Sequence, residues 1–189
     1  IDEALRTILS EGSEAGLFNS LNWKRNDPVQ IRLPEGMTLE DVKSELLPDG
    51  SVLCHIEMPA VAIRGWKLVP HPALAPQKVN LPQTIETRFY SASLNKESGT
   101  LTSLKLKSSG RELLGGAANE IVAERPIKKE DAPADFMASS SGRVQLASSS
   151  EGSSTIECSN GPVAYTVVIK GTFYGGGAIE RTMRFYHDY

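Results

Sequence analysis

Long apolar runs are missing from this 189-residue sequence. No stretch reaches the roughly 20 apolar residues that a membrane-spanning helix needs, so no membrane partner is expected. Cysteine is scarce as well. Cys54 and Cys158 stand far apart with no Cys-x-x-Cys pair. They read as buried small hydrophobes rather than as a disulfide framework, and they leave the redox compartment open. A surplus of positive charge is also lacking: the net charge is −3, with lysine and arginine scattered. A nucleic-acid footprint needs a concentrated basic face, so no nucleic-acid partner is expected.

Reactive side chains are equally sparse in pattern. The histidines are His55, His71 and His187. None has a Cys, Asp or Glu at metal-ligand spacing within one element, so they read as surface or strand-edge residues. There is no Gly-x-Ser-x-Gly elbow. Gly175–Gly177 is not a phosphate loop, because no helix follows it to offer its amides. Ser139–Ser141 and Ser148–Ser150 read as linker. Glu112, Glu120, Glu124, Asp131 and Asp135 are candidates for a glycosidase carboxylate pair, but sequence brings no two of them together, and they read as solvated loop charges. Trp23, Trp66, Tyr90 and Tyr174 have rings suited to stacking on sugars, yet strand aromatics mostly fill cores. No residue is therefore assigned to catalysis, to cofactor binding or to a metal.

What is abundant is punctuation: 11 prolines and 16 glycines, as short strands joined by turns require. Asp2–Glu11 is the exception. Asp2 caps, Leu5, Ile8 and Leu9 make a helical stripe, and Gly12 stops it. Val29, Ile31 and Leu33 alternate as a half-buried strand. Met37–Leu47 is open between a short helix, for which Thr38 and Asp41 give a capping signal, and a strand with loop. After the Pro48-Asp49-Gly50 turn, Val52, Cys54, Ile56 and Met58 share one strand face, and Leu53, His55 and Glu57 the other. Val61–Val69 continues as a strand, with Trp66 and Leu68 on one face. Pro70–Pro82 reads as a connector and an internal boundary.

Arg88–Leu114 then reads as strand, turn, strand, turn. Tyr90, Ala92 and Leu94 face one way. Leu101, Ser103 and Lys105 alternate with Thr102, Leu104 and Leu106. Gly99 and Gly110 sit where the chain reverses. Gly115–Gly142 has weak periodicity and reads as a long excursion. The last third is a long hairpin: Val163, Tyr165, Val167 and Ile169, then a Gly175–Gly177 turn, then Ile179, Arg181, Met183 and Phe185. The chain starts within a helical pattern at Ile1 and stops within a strand pattern at Tyr189, so a piece of a longer protein is expected. The expected class is mainly β, an antiparallel β-sandwich with a short N-terminal helix.

Several of these residues carry a resemblance. Phe18, Asn19, Leu21, Trp23 and Arg25 match the Phe-Asn-Pro-Leu-Ser-Trp-x-Arg approach to the β region of glycoside hydrolase family 38, the α-mannosidases; Ser20 stands where Pro is frequent. Pro48-Asp49-Gly50 and Pro59–Trp66 are similar to the strands that follow. Gly99, Leu101, Ser103, Leu104, Lys107, Ser109, Gly110, Arg111, Glu112 and Leu113 match a second run of that family at its spacing. Asn160-Gly161-Pro162-Val163 before a long hairpin resembles it too. There are departures. Thr87 stands where the family has Asn, and Asp131-Ala132-Pro133 with Asp135-Phe136 is a poor counterpart of its Asp-Ala-Trp-Asp element.

The resemblance implies three parts. Residues 1–13 would end a helical bundle, 14–80 would be a small β-sandwich, and 81–189 would begin an incomplete galactose-mutarotase-like supersandwich. The parent would be a retaining α-mannosidase. Its missing upstream barrel would hold zinc and the nucleophile, and α-mannosides would be its carbohydrate partner. The piece itself would carry no cofactor and would be inactive, supporting the barrel and bordering the sugar pocket. A soluble protein is expected, cytoplasmic for a bacterial-type enzyme. The alternative is a stand-alone carbohydrate-binding or surface-adhesion sandwich. A third reading, a mutarotase-like enzyme, requires a histidine and a carboxylate facing one pocket, and His55 and His71 fall outside the main sandwich.

Overall fold

The computed structural model describes residues 14–70, 73–127 and 142–188, and strands dominate them. In chain order they are β1 (Ala15–Asn19), β2 (Arg25–Ile31), β3 (Thr38–Leu39), β4 (Ser44–Leu46), β5 (Val52–Met58), β6 (Ala62–Trp66), β7 (Leu68–Val69), β8 (Gln77–Val79) and β9 (Ile85–Glu86). There follow β10 (Tyr90–Leu94), β11 (Leu101–Leu106), β12 (Arg111–Glu112), β13 (Val122–Pro126), β14 (Arg143–Ser148), β15 (Ser154–Asn160), β16 (Ala164–Phe173) and β17 (Gly177–Tyr186), with a 3-10 turn at Tyr174–Gly176 between the last two. The mainly β expectation with antiparallel sheets holds. The helix expected at Asp2–Glu11 lies outside the described residues.

The chain forms two compact units. One comprises the described residues up to Val79, together with Ser159–Thr166 and the residues from Arg184 on. The other comprises Asn80–Cys158 and Val167–Met183. The chain thus passes from one unit to the other within β15, within β16 and within β17.

In the first unit β5 is the central strand, between β2 and β4. Its pairing with β2 runs from Arg25↔Met58 to Ile31↔Val52. Cys54, Ile56 and Met58 point into a core shared with Leu39 and Trp66. Leu53 points the other way, against Leu47, Val163 and Ala164. Burial on both faces is confined to Val52–Cys54, where the sequence is continuously apolar; further along, half-buried His55 and exposed Glu57 occupy the second face. Full burial of each large apolar side chain contributes about 1.5–3 kcal/mol. Met37–Leu47, left open by the sequence, is strand and loop: Thr38–Leu39 pairs with β7, and Ser44–Leu46 with β5.

In the second unit the order is β12-β11-β10-β9. The β10–β11 register runs from Tyr90↔Leu106 to Ser93↔Ser103 and then slips, so that Leu94 pairs with Leu101. Thr102 is the extra residue of a bulge, and its hydroxyl donates to the Ser93 carbonyl at 3.1 Å. Strict alternation groups Leu101 with Ser103 and Lys105; the bulge instead sets Leu101 opposite buried Leu94. The weakly periodic stretch after Leu114 contains β13, which pairs with β14 from Val122↔Ser148 to Pro126↔Arg143. On β17 the expected inward face includes a charge: Arg181 is only 7 % exposed. Its Nη1 donates to the Asn119 carbonyl at 2.5 Å and its Nη2 to the Ser98 carbonyl at 2.7 Å. Burial pulls its pKa below the usual arginine value, against the opposing influence of Glu120.

Candidate functional site

The residues that carried the resemblance fall at positions that fix the backbone. Asn19 ends β1 and is buried. Its Nδ2 donates to the carbonyls of Trp23 (2.9 Å) and Pro59 (2.7 Å), and its Oδ1 accepts from Leu21 N at 3.1 Å. One side chain thereby ties loop 20–23 to loop 59–61 and holds the Trp23 ring in solvent, 58 % exposed. Asn19→Ala leaves two carbonyls and one amide without those partners. The expected loss is about 1.5–4.5 kcal/mol at about 0.5–1.5 kcal/mol per bond, measured by urea unfolding followed at the tryptophans.

Gly99 and Gly110 both adopt positive φ, +69° and +67°, as their place at reversals predicts. Glu112, one of the carboxylates considered for acid–base work, is instead a backbone cap. It accepts from Ser103 Oγ at 2.6 Å, Leu104 N at 2.8 Å, and Leu113 N and Leu114 N at 3.1 Å each. These bonds, led by that from Ser103, hold its pKa down at about 2 against an ordinary 4.5. The folded value is depressed, so the stabilisation is complete above about pH 4.5 and disappears as pH falls towards 2. Glu112→Gln is therefore expected to lower the melting temperature at pH 7 and to match the parent chain near pH 2, which melting curves across that range will read.

The other carboxylates are dispersed. Glu120 accepts from Ser148 Oγ at 2.9 Å, and its pKa is lowered by hydrogen bonds from Ser150 and Ser148. Glu124 pairs with Arg143 at 3.4 Å. Asp131 and Asp135 lie outside the described residues. Among the sugar-stacking candidates, Trp66 is core, Tyr90 is half-buried, and Trp23 and Tyr174 are exposed. Both cysteines are buried and neither is in a disulfide; burial raises the pKa of Cys54 above that of an ordinary thiol.

One cleft gathers titratable groups that sequence did not connect. It lies in the first unit, about 290 Å³ in volume, where the short β4 leaves the edge of β5 uncovered. His55 and Glu57 line it from β5, Glu40, Asp41 and Lys43 from the loop between β3 and β4, and Arg64 and Trp66 from β6. A histidine and carboxylates do meet here, as the mutarotase-like reading demands. Most of these charges are already engaged. Glu57 pairs with Lys24 at 2.6 Å, Lys43 with Asp188 at 3.2 Å, and the Arg64 guanidinium lies 5.0 Å from the Trp66 ring centre. Asp188 is held below the usual carboxylate pKa chiefly by its hydrogen bond from Lys43. His71 lies outside the described residues, and His187 Nε2 lies 2.9 Å from the Gly161 carbonyl oxygen. Among the described residues no group of three or more His, Cys, Asp and Glu is placed to hold a metal ion. Nor, among those residues, is any helix long and apolar enough to cross a membrane.

The chain matches no family model and no curated protein.

Proposed function

We propose that this chain is the non-catalytic β part of an α-mannosidase of the family 38 type, a galactose-mutarotase-like supersandwich with a smaller sandwich before it. Its role is to support a catalytic barrel that lies outside this sequence and to border that barrel's sugar pocket. Zinc, the nucleophile and the α-mannoside belong to the barrel. The observation that supports this reading is where the matched residues fall. Asn19, Gly99, Gly110 and Glu112 each have a backbone-setting task that their residue type performs, which is what a motif kept for folding requires. The Thr87 departure is chemically mild. Its hydroxyl accepts from Phe89 N (3.3 Å) and Tyr90 N (3.1 Å), a turn that Asn makes as well.

The test is an aryl α-mannoside assay with added zinc. The chain alone is expected to show no turnover, and the full-length parent to show it. Robust turnover by the chain alone, or a parent without a His-x-Asp barrel upstream, overturns the reading. The exposed rings of Trp23 and Tyr174 favour one alternative, a carbohydrate-binding or surface-adhesion module. Specific, tight binding of the isolated chain on a glycan array would select it instead.

A further inference from the structure

The β16–β17 hairpin of the second unit ends in the exposed ring of Tyr174, which lines a small cleft. The cleft measures about 240 Å³, below the roughly 300–1,000 Å³ of sites that take drug-sized ligands. It has room for one ring and is open to solvent at its mouth. The space exists because Ala147, Gly152, Gly175 and Gly176 bring little or no side chain to it. A Cβ added to Gly175 or Gly176 would meet nothing within 4 Å, and one added to Gly152 only a carbonyl oxygen at 3.9 Å. Gly175 and Gly176 have φ of +75° and +82°, so the bend that lifts Tyr174 out, 59 % exposed, depends on glycine there.

The composition of the lining restricts the ligand. Its side chains are two aromatics (Phe173 and Tyr174), two hydroxyls (Ser148 and Thr172) and small residues, with no charged group. Such a surface discriminates against phosphates, nucleotides and acidic sugars, which require cationic partners. It suits a molecule with an apolar face for an aromatic ring and hydroxyls along its edge. The wall is set in advance: Ser148 Oγ contacts Glu120 Oε1 at 2.9 Å and Ser150 Oγ at 2.7 Å, and Ser149 Oγ accepts from Ile121 N at 2.9 Å. Little ordering remains to be done on binding. We infer that this cleft binds a single neutral hexopyranose, stacked on Tyr174 with its hydroxyls directed at Thr172 and the glycine backbone. The inference stands independently of the mannosidase reading, because no residue matched to that family lines the cleft.

The experiment is an NMR titration of the full chain with the methyl glycosides of mannose, glucose and galactose, and with glucuronate as a charged control. At least one neutral glycoside is expected to give saturable shifts at amides 147–152 and 172–176, with a Kd on the order of millimolar. Glucuronate is expected to give none. Tyr174→Phe is expected to keep the affinity and Tyr174→Ala to lose about tenfold. Gly152→Leu is expected to abolish binding by filling the cleft; its melting temperature checks the fold. No saturable shift with any of the three glycosides up to about 100 mM, shifts confined to other residues, or equal affinity in Tyr174→Ala overturns the proposal. A failed titration leaves the turnover test of the parent untouched, and a failed turnover test leaves this one untouched.

Discussion

Gly99→Ala is expected to destabilise the second unit by about 2–5 kcal/mol, the sum of a left-handed backbone cost of about 1–2 kcal/mol and an overpacking cost of about 1–3 kcal/mol. The residue sits at φ +69° at the end of the β10–β11 loop, and the loop is fixed on every side. Asn95 Oδ1 accepts from Glu97 N at 2.8 Å and Ser98 N at 3.0 Å, Gly99 N donates to the Asn95 carbonyl, and Asn95 N to that of Thr100. The loop cannot relax by turning over. A Cβ at position 99 would stand 2.7–2.8 Å from three carbons of Ile169, itself 1 % exposed. For a chain of this length the loss corresponds to roughly 5–15 °C in melting temperature. Gly110→Ala separates the two causes. Its φ of +67° is nearly the same, but a Cβ there meets nothing within 4 Å, so only the backbone cost of about 1–2 kcal/mol applies. Trimming the obstacle tests the contact directly. Gly99→Ala combined with Ile169→Ala is expected to cost about 1–3 kcal/mol less than the two single changes added together. Equal effects of Gly99→Ala and Gly110→Ala would show that Ile169 is not the obstacle.

That glycine shows what a linear sequence discloses. Its reversal is local, and so is the residue type that permits it; both are readable at Gly99 and Gly110. The same holds for β16 and β17. Buried Val163, Tyr165, Val167 and Ile169 keep a strict period of two because neighbouring strand residues face opposite sides. Its contact with Ile169 lies seventy positions along and leaves no local mark. The Thr102 bulge is hidden for a related reason: one extra residue shifts the pairing while the hydrophobic pattern on either side still alternates. β13 escapes notice because Val122–Pro126 is half exposed and finds its partner β14 only across the long stretch that follows it. The return of Ser159–Thr166 and the residues from Arg184 on to the first unit is likewise a matter of three-dimensional path. The clefts suffer most. Glu40, His55 and Arg64 in one unit, and Ser148 and Tyr174 in the other, come from separate elements, so no spacing rule joins them. Reading Glu112 as a free loop charge underestimated it, because the amides that it caps lie on β11 (Leu104) and just past the end of β12 (Leu113 and Leu114).

Glu45 is the strongest case of a residue that patterning conceals, and replacing it with Ala is expected to cost about 3–6 kcal/mol. It is an inward-facing glutamate in the three-residue β4, 0 % exposed, at a position where patterning expects an apolar side chain. Its Oε2 accepts from Val163 N at 3.1 Å and Ala164 N at 3.0 Å. Those amides follow the Asn160-Gly161-Pro162 turn and are buried with the start of β16. Removing the carboxyl orphans both, at about 1–3 kcal/mol each, and leaves a cavity besides. The turn also explains its own glycine: a Cβ at Gly161 would run into the Glu45 carboxyl group. Glu45→Gln keeps an acceptor oxygen of the same reach and places its amide nitrogen where Oε1 has no hydrogen-bond partner, so it is expected to cost only about 1–2 kcal/mol. Gly161→Ala is expected to cost about 1–3 kcal/mol by crowding, and to add less than that once Glu45 is Ala. Hydrogen exchange localises the effect. The Val163 and Ala164 amides lose protection in Glu45→Ala and keep most of it in Glu45→Gln. Unchanged protection of both amides in Glu45→Ala would mean that the turn is held by its other bonds, Gly161 N to the Ala164 carbonyl and His187 N to the Val163 carbonyl, and that the buried carboxyl is not what anchors it.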